Sequence, residues 1–379
     1  MKRDYSVIII GGGVSGLMAA RYLSDALLIE REKSIDRKKV GTGEGISHKA
    51  LEMLGINPDP KWISCEINSI LRVSPNGKSF GSYNKSPYAY IIDRVSFEGF
   101  LEQERKADII TNTIVVDVEF KNGFWKVKTN TGDVYRSRYI IGADGPNSIV
   151  RRKVFNEEKI ELMPGLQYLI KLEKKITTNI AKIYIDNENY FQGYAWLFPK
   201  SENTANIGIC CARKIKESFD YFMNKEIKSV YGAYELIENR SGIIPRSGAC
   251  LNNYKNNAFL VGDASGFTDP IFKGGMSQAM LSGKMAAECI LSGKPELYKK
   301  KIKSMPFSDQ RLAIASKKFY SLNNQTLNEL AEVLENKGGS ELKSLKTILR
   351  CLTRRNLRKE FLKVLYFFYI WEKNKDYLW

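Results

Sequence analysis

The chain has 379 residues, 43% hydrophobic and 27% charged: enough for two or three compact units, or one large α/β domain with insertions, and unlike disordered, collagen-like or disulfide-scaffold chains. Its net charge of +17 suits an anionic partner, whether a membrane surface, an acidic protein or nucleic acid. The single histidine, His48, excludes a His-rich metal centre and leaves a Ser-His-Asp hydrolase only one candidate base, so no metal site is expected and the chemistry falls to a cofactor.

The chain opens on charge and then a short β-branched run, Tyr5-Ser6-Val7-Ile8-Ile9-Ile10, that stops at glycines. This reads as a strand and not as a secretion signal. Gly11-Gly12-Gly13-Val14-Ser15-Gly16 follows, a helical pattern runs from Leu17 to Leu23, and Ala26-Leu27-Leu28-Ile29-Glu30 is a second buried strand. Strand, glycine loop, helix and strand form the context in which G-x-G-x-x-G carries meaning. Gly11 permits the tight turn, Gly13 lets a pyrophosphate approach the backbone, and Gly16 allows close packing of helix on strand. Glu30 stands 19 residues after Gly11, near the offset of a ribose-binding carboxylate.

Residues 36–50 read as a glycine-punctuated loop entering a helix near Ser47, and Val95 to Lys106 as a second helix. Ile109 to Lys128 reads as strands broken at Lys121-Asn122-Gly123, with another turn at Thr131-Gly132-Asp133. A buried strand then runs into Gly142-Ala143-Asp144-Gly145-Pro146-Asn147-Ser148. From about 155 to 215 the pattern is strands and turns. Ala258-Phe259-Leu260-Val261 returns to a parallel-type strand before Gly262-Asp263-Ala264-Ser265-Gly266, and Gly274-Gly275-Met276 opens a helix of small residues. Beyond Pro295 the chain reads as helical and basic. The six cysteines form no C-x-x-C pair, which points to buried thiols in a reducing cytoplasm.

In order and spacing these three fingerprints resemble the para-hydroxybenzoate-hydroxylase-like FAD superfamily. Further blocks resemble one branch of it, the geranylgeranyl reductase family: Gly41-Thr42-Gly43-Glu44-Gly45-Ile46-Ser47, Ile92-Asp93-Arg94 with Phe97 and Leu101, and Tyr194-Ala195-Trp196-Leu197-Phe198-Pro199-Lys200. The resemblance covers residues 5 to about 290. It implies an α/β fold with a Rossmann-like FAD-binding domain from 1–150 and 240–293. An inserted antiparallel-sheet substrate domain would come from 151–239 with part of 50–95, and a basic helical C-terminal region from 294–379. It implies noncovalent FAD, with contacts at Gly11, Gly13, Ser15, Gly16, Glu30, Thr42, Gly43, Gly45, Arg94, Val115, Asp263, Gly275 and Met276. Thr42 stands where the family usually has cysteine, Phe272-Lys273 where smaller or acidic residues are common, and Ser201 where glycine often follows the Pro-Lys pair.

The activity implied is saturation of the C=C bonds of geranylgeranyl chains, in isoprenoid lipids or their precursors; the alternative is a flavin monooxygenase or halogenase on the same scaffold. Tyr194, Trp196 and Phe198 alternate on a strand and so share one face, where they would wall a prenyl tunnel. The proton donor is open among Glu44, Tyr194 and a water. Lys49, beside His48, reads as a helix-surface lysine. Ferredoxin or a reduced nicotinamide is the expected electron donor, and no nucleic acid is expected. At the C-terminus Leu342, Leu345, Ile348, Leu349 and Leu352 recur at helical spacing among eight basic residues up to Lys363, followed by an aromatic run too short to span a bilayer. The expected location is the cytoplasm, with this tail either lying on anionic lipid or packed as a lid on the protein's own core.

Overall fold

A computed structural model of the chain describes residues 4–35, 43–81, 83–156, 160–335 and 345–374. Its centre is a mainly parallel sheet in the order Tyr254–Lys255, Ala258–Leu260, Val134–Gly142, Asp4–Ile10, Ala26–Ile29, Asp108–Ile110. The strands Phe124–Thr129 and Val115–Lys121 extend Val134–Gly142 as an antiparallel meander. The central strands read as unbroken apolar runs because both faces are covered. Helices Val14–Ala20, Arg94–Gln103 and Met276–Leu291 bury Val7, Ile9 and Leu28 on one side; Ile149–Phe155 and the meander bury Ile8, Ile10 and Leu27 on the other.

A seven-stranded sheet stands beside it in the order Tyr234–Pro245, Leu162–Leu172, Thr204–Cys210, Tyr194–Pro199, Ile180–Tyr184, Ser69–Val73, Ser79–Phe80. Its pairs are antiparallel except one: Ser69–Val73 runs parallel to Ile180–Tyr184, so the sheet is mixed where an antiparallel one is expected from sequence. The strand Tyr234–Pro245 also crosses the expected 239/240 boundary. A small sheet of Gly45–Ser47, Ala89–Ile92 and Ile63–Ile67 joins the two layers.

Both faces of the sheet's inner strands Thr204–Cys210 and Tyr194–Pro199 are buried, whereas the edge strand Tyr234–Pro245 is largely exposed. Ala195, Leu197, Ile207 and Ile209 pack with Phe219 and Phe222 of the helix Ile215–Phe222. Tyr194, Trp196, Phe198 and Ile183 face the other way, into a core shared with the helices Arg311–Tyr320, Asn324–Leu334 and Arg355–Asn374. Five of the six cysteines are buried, Cys210 and Cys211 among them.

The expected leucine stripe near the C-terminus is only partly as drawn. Leu342 lies outside the described residues. Among the described side chains of the helix Leu345–Thr353, Thr347 and Cys351 are buried, Ile348 is half-buried, and Leu349 and Leu352 are exposed; the Leu345 side chain lies outside the description. Helical spacing groups residues on a face, but here a smaller pair docks while Leu349 and Leu352 turn outward.

Candidate functional site

The glycine loop, Glu30, the Asp144 loop and the Asp263 loop all leave the carboxyl ends of parallel strands, Asp4–Ile10, Ala26–Ile29, Val134–Gly142 and Ala258–Leu260. The chain connects in opposite directions on either side of Asp4–Ile10, and such a crevice is where open α/β sheets bind ligands. Gly11 has φ +103°, and a Cβ at Gly16 would collide with the Gly11 carbonyl, so both glycines are required by the turn. Above Gly13 the space is open. The Glu30 carboxylate accepts the Gly12 N–H at 2.7 Å and the Glu32 N–H at 2.9 Å, which holds it at the loop's edge.

Asp144 accepts the Ile149 N–H at 2.7 Å, its Oδ1 is buried with no hydrogen-bond partner among the described residues, and burial, opposed by Ser148 and the helix N–H groups, pushes its carboxyl above the usual range. Arg151, unremarked in the sequence, donates to the carbonyls of Ala264 at 2.9 Å and Pro146 at 2.6 Å, tying the two aspartate loops together. Asp263 accepts from the Thr268 hydroxyl at 3.0 Å; burial raises its carboxyl, opposed by that hydrogen bond and by Arg94. Arg94 in turn pairs with Glu98 at 2.9 Å. A Cβ at Gly275 would lie 3.6 Å from Asp263 Oδ1, and one at Gly262 would lie 2.9 Å from Ser15 Oγ, so Ser15, Asp263, Gly275 and Met276 converge. Val115 begins its strand two residues after Thr113, whose N–H donates to the Glu30 carbonyl at 2.9 Å. Thr42 lies outside the described residues.

Tyr194, Trp196 and Phe198 form a continuous row, with ring centroids 5.9 and 6.3 Å apart. Each end meets a loop of the crevice. A Cβ at Gly43 would sit 2.6 Å from the Phe198 ring, and the Tyr194 hydroxyl donates to the Phe272 carbonyl just before Gly274-Gly275-Met276. Trp196 Nε1 donates to Asn206 Oδ1 at 2.9 Å, and Asn206 Nδ2 donates to Glu44 at 3.2 Å.

Glu44, with φ +61°, is the hub of this network. Its carboxylate also takes Lys200 Nζ at 2.9 Å and Arg240 at 3.4 Å. Lys200 further donates to the Ile92 carbonyl at 2.7 Å. Both carboxylate oxygens are therefore occupied by positioning contacts. The Tyr194 hydroxyl is likewise committed, and burial holds it well above the ordinary phenol range.

Lys273 stands out instead. It adopts φ +58°, donates from Nζ to the Pro270 carbonyl, and lies 5.3 Å from the Tyr320 ring centroid. Burial pushes its ammonium down to about 8, against the opposing influence of Cys210 and Asp269. Asp269 is itself raised by burial to about 6 while accepting the N–H groups of Ile271 and Phe272, both at 2.8 Å. In the sequence Lys273 showed only as a departure from the family pattern. His48 bonds the Tyr90 hydroxyl at 2.8 Å, and Lys49 is exposed. No cluster that could hold a metal occurs among the described residues.

A glycine loop with two aspartate loops at the carboxyl edge of a parallel sheet, faced by a buried aromatic wall, defines a flavoprotein of the Rossmann-like type. Residues 161–244 match the geranylgeranyl reductase catalytic domain. A digeranylgeranylglycerophospholipid reductase of Methanosphaerula palustris is 30% identical over 319 residues, 77% of this chain and 79% of the relative. The crystal structure of a geranylgeranyl bacteriochlorophyll reductase-like protein from Thermoplasma acidophilum aligns with a TM-score of 0.80 at 24% identity, covering 96% of this chain and 100% of that one. The flavin-dependent brominase Bmp2 shares the fold more distantly, with a TM-score of 0.60 at 18% identity over 96% of this chain and 93% of its own. The chain belongs to the geranylgeranyl reductase family, and it is an oxidoreductase.

Proposed function

We propose that the protein is an FAD-dependent reductase that saturates C=C bonds in the geranylgeranyl chains of prenyl lipids. The observation that carries this reading is the aromatic row, buried and clamped at one end by Gly43 and at the other by the loop before Gly275. An isolated alkene offers no carbonyl to polarise, so its reduction needs a dry apolar slot against the cofactor more than a polar catalytic constellation. The orphaned Asp144 Oδ1, the open space above Gly13 and the Asp263–Gly275 edge fit noncovalent FAD. Glu30 would hold the ribose, with the remaining contacts from Ser15, Gly43, Gly45, Arg94, Val115, Asp263 and Met276. When bound and reduced, the flavin supplies hydride.

Tyr194, Trp196 and Phe198 exclude water and hold the chain. In this reading Lys273 Nζ, whose ammonium burial pushes down to about 8, holds the proton for the second alkene carbon in place of Glu44, Tyr194 or a water. Anaerobic incubation of dithionite-reduced protein with a geranylgeranyl ether lipid, followed by mass spectrometry, should show mass gains of two hydrogens per bond. Oxygen-dependent product with no such gain would favour the monooxygenase or halogenase reading. Glu30→Ala should weaken FAD retention by on the order of 1.5–3 kcal/mol, the range for a hydrogen bond to a charged group. Unaltered affinity in a fluorescence titration would mean that the ribose lies elsewhere.

In this reading the C-terminal helices rest on an anionic membrane. Leu349, Leu362 and Tyr369 are 54, 79 and 58% exposed, and Arg350, Arg354, Arg355, Arg358 and Lys359 are exposed among them. Apolar side chains interleaved with cations suit the headgroup region. The same helix Arg355–Asn374 buries Val364, Phe367, Phe368 and Ile370, so it serves as lid and docking surface together. No described helix is long and apolar enough to cross a membrane. Co-sedimentation with anionic vesicles should fall with salt. Combining Arg358→Glu with Leu362→Asp should lower it at least about tenfold, since each cation near such a surface contributes about 1 kcal/mol. Equal binding by that variant would detach the tail from the membrane. The electron donor is an acidic carrier such as ferredoxin, or a reduced nicotinamide.

A further inference from the structure

Arg72 is a cation on an apolar wall. Across the seven-stranded sheet Arg72 registers with Ile183, and Ile183 with Trp196. Residues in register share a face, so Arg72 continues the row that carries the aromatic wall, two strands or roughly 10 Å from Trp196. Its guanidinium lies 4.7 Å from the Trp371 ring centroid and 5.5 Å from that of Phe272. Together with Phe80, Ile185, Phe319 and Phe368 these line a narrow cavity of about 10 Å³, room for a single water.

Against this apolar lining the guanidinium is nearly unprovided for. It has five N–H donors. Among the described residues its one hydrogen bond runs from Nη1 to the Ile70 carbonyl at 3.2 Å, and none of their carboxylates makes an ion pair with it. Tyr88 and then Glu372 are near enough to favour its charged form. Guanidinium stays charged in proteins, and burying such a charge unpaired is unfavourable. The two aromatic faces compensate in part. They leave the planar N–H fork available, and that fork matches the oxygens of a phosphate.

We propose that Arg72 is the anion-binding end of the substrate slot and receives the phosphate of a prenyl phospholipid, whose chain then lies along Ile183 and Trp196. This rests on the reductase reading and adds the polar end of the substrate to it. With room for one water, the cavity takes a phosphate only if Trp371 moves off the guanidinium; that movement is part of the proposal, and Trp371 emission reports it.

The test uses the FAD-loaded protein and two lipids in neutral detergent micelles: a geranylgeranyl glycerol ether bearing a phosphate, and the same ether ending in a hydroxyl. Binding is read from Trp371 emission, with Trp371→Phe as the assignment control, and reduction is followed separately. The phosphate lipid should bind roughly 10- to 100-fold more tightly, the ratio that charge-assisted hydrogen bonds support. Arg72→Gln should abolish that preference, so that within the variant the two lipids bind alike, and Arg72→Lys, which keeps the charge without the fork, should fall between it and the wild type. Equal affinities in the wild type, or a preference that survives in Arg72→Gln, overturns the proposal. Sodium phosphate binding as tightly as the phosphate lipid overturns it too, assigning the site to the free ion. Phosphate-selective binding without reduction of either lipid would instead sink the reductase reading and leave the anion site standing.

Discussion

Glu44→Ala is expected to destabilise the protein by about 3–5 kcal/mol, the range for removing one partner of a buried ion pair. The side chains of Glu44, Lys200 and Arg240 are only 5, 12 and 15% exposed, so the substitution takes a carboxylate from both cations in a site closed by Asn206 and Trp196. Arg240 keeps Glu238 at 2.7 Å, whereas Lys200 keeps the Ile92 carbonyl at 2.7 Å and the more distant charge of Asp93. Glu44→Gln retains an oxygen for Lys200 and Asn206 and should lose less. Denaturant unfolding of the FAD-loaded protein measures both. A loss below about 1 kcal/mol for the alanine variant would show that water replaces the carboxylate and that the hub does not hold the wall to the cofactor loop.

The second large effect is on turnover. Removing a positioned general acid commonly costs 10²–10⁴-fold, so Lys273→Met should slow single-turnover alkene reduction by about that factor. The pH dependence carries the sign. Burial lowers this ammonium to about 8, so the proton-bearing form prevails below that value and the wild-type rate should fall as pH rises through it. In Lys273→Met this limb should vanish. In Lys273→Arg it should move far to the alkaline side, because guanidinium keeps its proton. A lysine that merely supports the loop would leave the limb where it is, and the same limb in all three proteins would remove Lys273 from proton delivery.

Much of this site is written locally in the chain. The glycine loop was legible because its strand, turn and helix are contiguous, and the turn needs φ values that only glycine tolerates easily. The aromatic row was legible because alternation on a strand fixes the shared face, and the structure divides Tyr194, Trp196 and Phe198 from Ala195 and Leu197 between two cores. The Glu44 hub was not. Lys200, Asn206 and Arg240 lie 156, 162 and 196 residues away from it, and no local pattern encodes pairing at that range. The parallel strand Ser69–Val73 escaped for the same reason, and with it the place of Arg72 on the substrate wall. For the helix Leu345–Thr353, periodicity grouped the leucines, but which face docks depends on shape complementarity with distant helices.

The segment that matches the catalytic-domain family, residues 161–244, is continuous in the chain but incomplete in space. Its strand Ile180–Tyr184 is hydrogen-bonded to Ser69–Val73, a neighbour that the segment lacks, and its aromatic face is roofed by helices beginning at Arg311 and Arg355. Cut out as a cassette, it would present an open strand edge and a bare apolar sheet, the two features that drive edge-to-edge aggregation. Chimeras that exchange substrate preference within the family therefore need crossover points that carry the segment around residues 69–80 and the C-terminal helices along with it. Recombination at the ends of the matched segment alone would separate a wall from its own roof.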